Sequence, residues 1–297
     1  MIRNIAIASV LAMAATSVVG GDAGYVQSIE KYRAQRLETL TGPSGWLTLI
    51  GLEWLKPGAN SIGTAADNDI VLKAGPAHLG VITLHADGSS EIVFADHAEA
   101  AVDGKIVPRA TLVDDAAANA SPSQVTFGTA SFYVIVRDGR RALRVKDSAA
   151  PTRTGFQGLD YFDIDPSWRV VADWVPFDTP HFLEIGSVLG TVDKERVPGK
   201  AVFERNGHRF ELFPIQEDAT SLFFVIADRT SGKETYGAAR FLTTTMPVDG
   251  KLVLDFNKAT NPPCAFTPYA TCPLAPPENR LDVRVTAGEL KYKGSHH

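Results

Sequence analysis

Three carboxylates in the C-terminal half of the chain, Asp228, Asp255 and Glu278, are candidates for acid–base catalysis. Hydrolysis of glycosidic and related bonds commonly uses a pair of Asp or Glu side chains, one donating a proton and the other accepting one. His181 follows Pro180 and is a candidate general base. Together these residues define one hypothesis, an acid–base hydrolase.

Polar side chains accompany these carboxylates and could bind a ligand. Arg240 offers a planar fork of donors to an anion, and Asp255 and Asn257 project to the same side of a strand because they are two positions apart. For any single residue a structural role is favoured, such as a salt bridge of Arg240, because structural ion pairs are commoner than sites. The ligand-binding candidates as a group are Tyr236, Arg240, Asn257, Asn261, Asn279 and Arg280.

Cys264 and Cys272, the only 2 cysteines, stand in a proline-rich segment. An oxidising compartment favours a disulfide between them. The alternatives are a metal site, for which no His stands nearby, and a reactive thiol, for which the local sequence shows no base. A disulfide is the favoured prediction.

Motifs of the common enzyme classes are absent from the sequence. There is no Gly-x-Ser-x-Gly elbow, no His-Glu-x-x-His zinc motif, no P-loop and no dinucleotide fingerprint. The internal histidines stand singly, without the spacing of metal ligands. We therefore predict no cofactor and no metal.

Composition and the first residues indicate the compartment. The net charge is −5 and the basic residues form no runs, which argues against nucleic acid as a partner. Residues 1–20 combine Arg3, an apolar run and small residues, as a secretory signal peptide does. Because the apolar run is shorter than the roughly 20 residues that span a bilayer, we expect an exported, periplasmic or extracellular protein without stable membrane insertion.

Hydrophobic periodicity divides the remaining chain into four segments. A period near 3.6 predicts a helix from Tyr25 to Leu40, within residues 21–45. A period of two, with turn dipeptides, predicts a β sandwich over residues 46–147. Prolines and aromatic residues fill a packed connector, 148–180, before a second antiparallel β module, 181–293. The predicted fold class is mainly β, with strands at 46–49, 60–63, 70–72, 80–84, 91–94, 106–112, 124–127, 132–136, 142–145, 182–185, 200–204, 209–213, 221–226, 239–243, 251–255 and 281–285.

Residues 46–146 carry the skeleton of a known β sandwich. The stretches 55–63, 68–72, 81–82 and 102–105, with His78 between them, resemble a forkhead-associated domain. The family's phosphate-binding pattern is not kept: Thr64 replaces its Arg, Gly75 its Ser, and Asp103, whose charge repels phosphate, its Asn. The resemblance therefore implies the fold and not the reading of phosphothreonine.

Longer phrases in the second half resemble another family. They are residues 227–242, 254–260 and 276–281, together with the opening from Trp46 to Trp54. These phrases look like the family known as domain of unknown function 1684, over nearly the whole chain after the signal peptide. The family name implies no activity and no catalytic residue.

Two functions from different classes are compatible with these patterns. The first is a binding or scaffolding protein that holds a small molecule or a glycan, with its site in the second module and a cleft where the modules meet, since domain junctions favour ligand sites. The alternative is an extracytoplasmic hydrolase that uses the Asp and Glu residues of the second module. A third reading is a structural envelope protein without a ligand.

Overall fold

A computed structural model describes residues 18–118, 120–216 and 218–294. The chain is mainly β, with 44% of its residues in strands and 14% in helices, and a helix precedes the sheets. The predicted fold class is confirmed. Most of the predicted signal peptide, residues 1–17, lies outside the described residues. No helix in the described ranges is both long and apolar enough to cross a bilayer.

The N-terminal helix α1 (Val18–Thr41) is longer than the predicted segment. It ends before Gly42 and Pro43, because proline cannot donate the next helical hydrogen bond. Ile29 and Leu40 are fully buried, but Leu37 is 41% exposed. The apolar face is therefore narrow, and polar side chains provide much of the attachment of α1.

Ten strands between residues 49 and 147 form two five-stranded sheets. The sheet orders are β1-β10-β9-β8-β6 and β3-β2-β4-β5-β7. Alternate residues face inward, as the two-residue period requires, and Ile62, Ile82, Val125, Phe132 and Val134 pack in the shared core. The strands are β1 (Leu49–Trp54), β2 (Gly58–Gly63), β3 (Ile70–Val71), β4 (Gly80–Leu84), β5 (Ser90–Phe94), β6 (Ala100–Val102), β7 (Arg109–Leu112), β8 (Val125–Phe127), β9 (Ala130–Arg137) and β10 (Arg140–Asp147).

Three details of this region differ from the sequence prediction. Trp46–Thr48 forms a 3-10 turn rather than a strand, and β1 begins after it at Leu49. Ile106 was expected to start a strand, but it is 86% exposed and β7 starts at Arg109. Strand β6 was not predicted because its three residues, Ala-Ala-Val, are too few to show a period.

The C-terminal half forms a four-stranded sheet, β13-β12-β11-β16, and a three-stranded sheet, β15-β14-β17. Between the halves lies the short helix α2 (Pro151–Thr154). Strand β11 (Arg169–Gly186) crosses the predicted boundary between the connector, which ends at residue 180, and the second module, which starts at residue 181. The predicted strand 281–285 is only the two-residue β17. The strands are β11 (Arg169–Gly186), β12 (Val192–Arg205), β13 (His208–Leu212), β14 (Ser221–Asp228), β15 (Arg240–Thr245), β16 (Lys251–Asp255) and β17 (Arg280–Leu281).

A separate apolar cluster joins the end of α1, the start of the sandwich and the segment around the cysteines. Leu40, Leu47 and Leu49 pack there with Tyr236 and Phe266. The Thr267 hydroxyl also donates to the carbonyl oxygen of Leu49 at 3.1 Å. The two halves therefore meet along a packed surface that contains the cysteine segment, and this surface places the site described next.

Candidate functional site

Asp228 and Arg240 form a buried ion pair. Their side chains are 0% and 1% exposed, and Arg240 Nη2 donates to Asp228 Oδ2 at 2.6 Å. The other carboxylate oxygen, Oδ1, accepts from the backbone and hydroxyl of Thr230 and from the Val285 amide. Strand β14 ends at Asp228 and β15 starts at Arg240, so the pair ties together the two ends of a strand connection.

The guanidinium of Arg240 is engaged within the fold. Besides Asp228, it donates to the carbonyl oxygens of Val285 and Ala287. Burial lowers the pKa of Arg240, and the charge of Asp228 opposes that shift. Neither side chain is exposed to a ligand. The geometry of the pair is therefore that of a structural salt bridge.

Asp255 and Asn257 belong to the attachment of α1. Tyr25 donates its hydroxyl to Asp255 Oδ1 at 2.8 Å and accepts from Asn257 Nδ2 at 2.9 Å. Asn257 also exchanges hydrogen bonds with both backbone groups of Asp165. Burial and the bond to Asp255 raise the pKa of Tyr25. The two residues project together, but towards a tyrosine of the same chain.

Asn261 and Asn279 hold backbone segments. Asn261 donates its backbone amide to Glu289 Oε2 at 2.7 Å and its side-chain amide to the Leu290 carbonyl at 2.7 Å. Asn279 pairs with both backbone groups of Phe213, at 2.8 and 2.9 Å. Glu289, which accepts from Asn261, also accepts from Arg36 of α1, through Oε1 at 2.9 Å.

Three further candidates, Glu278, Arg280 and His181, lie on the surface. Glu278 and Arg280 are exposed around the 3-10 turn Pro277–Asn279, and Arg280 donates to the carbonyl of Ala275. His181 is exposed in β11 and lies beside Phe177, with ring centroids 4.6 Å apart and the ring planes tilted by 43°. The structure therefore distributes the predicted polar group over several places rather than one pocket.

Cys264 and Cys272 are buried free thiols, so the predicted disulfide is not formed in this structure. They are nevertheless adjacent, since the Cys264 amide donates to Cys272 Sγ at 3.1 Å. The hydrogen bond between the thiols lowers the pKa of Cys264 and raises that of Cys272. Burial raises the pKa of Tyr236, whose hydroxyl donates to the carbonyl of Cys264.

A cleft of about 750 Å³ opens between the two halves of the chain, beside this cysteine pair. The sandwich contributes Trp46, Arg137 and Arg144, and the C-terminal half contributes strands β11 and β12 and the segment that ends at Pro273. Of the predicted site residues, Cys272 is part of the lining. The lining residues are Trp46, Arg137, Arg144, Ile185, Gly186, Ser187, Asp193, Glu195, Ile215, Gln216, Phe223, Phe241, Pro263, Thr271, Cys272 and Pro273.

Arg144 is the buried charge of this cleft. It lies in β10 between apolar neighbours and is 5% exposed. Nη2 donates to the Thr271 hydroxyl at 3.1 Å and Nη1 to the Tyr133 hydroxyl at 3.3 Å, whereas Nε has no hydrogen-bond partner among the described residues. A sequence signal existed, because an Arg within the run Ala142–Val145 is a charge at core positions.

The opposite wall carries carboxylates. Asp193 pairs with Ile185 across the β11–β12 ladder, and Glu195 pairs with Leu183. Cross-strand partners share a face of a sheet, so both acids project on the side of Ile185, which also lines the cleft. Neither acid was predicted as a site residue, because the β11–β12 register that brings both acids to this face is not visible in the sequence.

Comparison with known proteins places the second half in a family. The model of the family described as protein of unknown function (DUF1684) matches residues 154–290. These residues belong to that family. The DUF1684 segment spans β11 to β17, so the predicted resemblance is shown for this half of the chain. The forkhead-associated resemblance of residues 46–146 is not confirmed and stays a prediction.

One solved structure with sequence similarity is the solution NMR structure of an uncharacterized protein from Haloarcula marismortui. It is 31% identical, the match covers 46% of this chain and 78% of that chain, and the TM-score is 0.39. Among curated proteins nothing matches. Within the cleft, the DUF1684 segment supplies every lining residue from Ile185 to Pro273, and the sandwich supplies the tryptophan and the two arginines.

Proposed function

We propose that this protein binds a small molecule or a short glycan in the cleft between the sandwich and the DUF1684 segment. The observation that carries the proposal is the cleft itself, which combines an aromatic ring, Trp46, and a buried charge, Arg144, from one half with polar groups from the other. Its volume of about 750 Å³ falls within the roughly 300–1,000 Å³ of small-molecule sites.

The composition of the lining supports binding of a polar molecule with an apolar face. Trp46 is half-buried, so part of its ring remains available for stacking against a sugar or another flat apolar surface. Gln216 adds an amide group that can donate and accept hydrogen bonds, whereas the Ser187 hydroxyl is engaged by Thr191 and Leu189. Such a mixture fixes the orientation of a ligand as well as its position.

The hydrolase hypothesis has less support from the geometry. Its acid–base candidates Asp228, Asp255 and Glu278 are absent from the cleft lining. Asp228 is engaged by Arg240, and Asp255 by Tyr25. Binding without turnover is therefore the function that we favour.

Export and a disulfide are part of the same proposal. Residues 1–20 direct the chain out of the cytosol, and the adjacent thiols of Cys264 and Cys272 then meet an oxidising compartment. A thiol–disulfide oxidant of that compartment takes up the two electrons and two protons, and the sulfur–sulfur bond fixes one wall of the cleft.

We also propose the forkhead-associated fold for residues 46–147, as a scaffold.

A thermal-shift screen of polar metabolites and oligosaccharides tests the binding proposal. A ligand present at 100 times its dissociation constant stabilises the folded state by about 2.7 kcal/mol, which raises the melting temperature by roughly 5–10 °C. We expect Trp46→Ala to abolish this shift.

The matched control is Trp54→Ala. Trp54 ends β1, contacts Arg140 and is absent from the cleft lining, so its loss should leave the ligand shift intact. Equal shifts in wild type and Trp46→Ala would place the ligand elsewhere. No shift with any compound would contradict the binding function itself.

A further inference from the structure

We propose that Arg144 anchors an oxyanion group, a carboxylate or a phosphate, of the molecule that occupies the cleft. This assignment rests on the proposed binding function and names the chemical class of its ligand. The residue is 5% exposed and lines the cleft. Its charge lies where a bound molecule would complete the removal of water.

The guanidinium of Arg144 lacks an anionic partner. None of the salt bridges among the described residues includes it. Its two hydrogen bonds go to neutral hydroxyl groups, those of Tyr133 and Thr271, and Nε has none. A buried charge without a counter-ion is costly. Arg240 also has an unpartnered Nε, but its charge faces Asp228 at 2.6 Å, so the missing anion is what distinguishes Arg144.

Aromatic rings offset part of this cost. The guanidinium carbon lies 5.2 Å from the ring centre of Trp46 and 5.8 Å from that of Tyr133. Cation–π attraction at these distances is weaker than the penalty for desolvating a charge. The rings therefore stabilise the Arg144 charge only in part, and an anion is still needed to compensate it.

A second cation strengthens the local positive potential. Lys146 follows two positions later in β10, so it projects to the same side, and its Nζ lies 5.9 Å from the Trp46 ring centre. It donates to the carbonyl of Ser44 at 2.7 Å and has no acidic partner among the described residues. Burial and the nearby Arg144 charge lower the pKa of Lys146, as expected for two cations without a compensating anion.

The opposite wall restricts the rest of the ligand. Asp193 and Glu195 line it and form no salt bridge within the described part of the chain. Their charges repel a molecule that is anionic throughout, and they accept hydrogen bonds from hydroxyl or ammonium groups. The ligand class is thus a small molecule with an oxyanion at one end and hydrogen-bond donors at the other.

Pairs of probes that differ in charge test the assignment. We would measure melting temperatures with glucuronate, glucose 6-phosphate and glucose, and with benzoate and benzyl alcohol, each at ~10 mM, which saturates a site with a millimolar dissociation constant. Glucuronate and benzoate stand for carboxylates and glucose 6-phosphate for a phosphate. We expect at least one oxyanion to raise the melting temperature more than its neutral analogue does.

Variants of Arg144 separate binding from folding. Arg144→Met should weaken binding of the oxyanion by roughly 10- to 100-fold, as loss of a charge-assisted hydrogen bond does, and Arg144→Lys should weaken this binding less. Without ligand, Arg144→Met should melt at or above the wild-type temperature, because an uncompensated charge is removed. The control Arg141→Met removes the same charge from the same strand at a residue paired with Asp114 outside the cleft, and should not affect oxyanion binding.

Three results would overturn the assignment. One is a lower melting temperature of ligand-free Arg144→Met together with unchanged oxyanion affinity, which would make Arg144 structural. Another is an equal shift with charged and neutral probes that survives Arg144→Met but needs Trp46, which would leave the binding function standing. The third is the absence of a shift with every oxyanion.

Discussion

Removal of the Asp228 carboxylate tests the structural interpretation of the Asp228–Arg240 pair. Asp228→Ala leaves the guanidinium of Arg240 buried without its counter-ion and also leaves the Thr230 and Val285 amides without their acceptor. Breaking a buried pair in this way costs about 3–5 kcal/mol of the free energy of unfolding. At 2–4 °C per kcal/mol, the melting temperature should fall by roughly 6–20 °C.

Urea denaturation, monitored by tryptophan fluorescence, measures this loss in the free energy of unfolding. The matched control is Asp282→Ala. It breaks the pair between Asp282 and Arg229, the residue that follows Asp228, and the side chains of Arg229 and Asp282 are 61% and 80% exposed. That pair is screened by water, so its loss should leave the free energy of unfolding nearly unchanged. A loss below about 1 kcal/mol for Asp228→Ala, or equal losses in both variants, would refute the reasoning and return Asp228 to the list of functional candidates.

Two further predictions concern pH and backbone conformation. Burial raises the pKa of Tyr25 and Tyr161, so the folded state keeps protons that the unfolded state releases above pH ~10, and stability is lost as pH rises beyond that value. In urea titrations at pH ~9–11, Tyr161→Phe should reduce this loss of stability. At neutral pH the substitution should cost little stability, because the Tyr161 hydroxyl has no hydrogen-bond partner among the described residues. An unchanged slope of the free energy of unfolding against pH would contradict this prediction. Gly288 has φ +83°, and a Cβ there would lie 2.5 Å from the Ala259 carbonyl oxygen, whereas Gly207, at φ +75°, has open space. Gly207→Ala should therefore cost roughly 1–2 kcal/mol of left-handed strain and Gly288→Ala distinctly more in the same denaturation assay, and equal costs would count against the close contact.

Much of the fold could be predicted because its signals are local. Alternation of apolar residues located most strands within a few residues, as in β4 of the sandwich and β16 of the C-terminal half, and the breakers after Thr41 marked the end of α1. The missed details are short or tertiary. Trp46 has the residue type of a strand but turns in a 3-10 conformation, where Leu47 packs with the cysteine segment.

The site was harder to predict because its chemistry depends on contacts between distant residues. Asp228 and Arg240 have the residue types of a binding site, yet the fold turns them towards each other. The run Ala142–Val145 marks Arg144 as a charge at core positions, but nothing near it in sequence reveals that Thr271 and Trp46 surround it. The types of polar residue indicate which chemistry is available, and tertiary packing decides which side chains are free to perform it.

The attachment of α1 has a consequence for the order in which the chain acquires its structure. Arg36 bonds to Glu289, 253 positions later, and Tyr25 bonds to Asp255, 230 positions later. During synthesis the helix leaves the ribosome long before its acceptors do. Closing so long a loop carries an entropic cost that local contacts do not repay. Docking of the helix is therefore expected to be a late event of folding, which waits until Asp255 and Glu289 have been made.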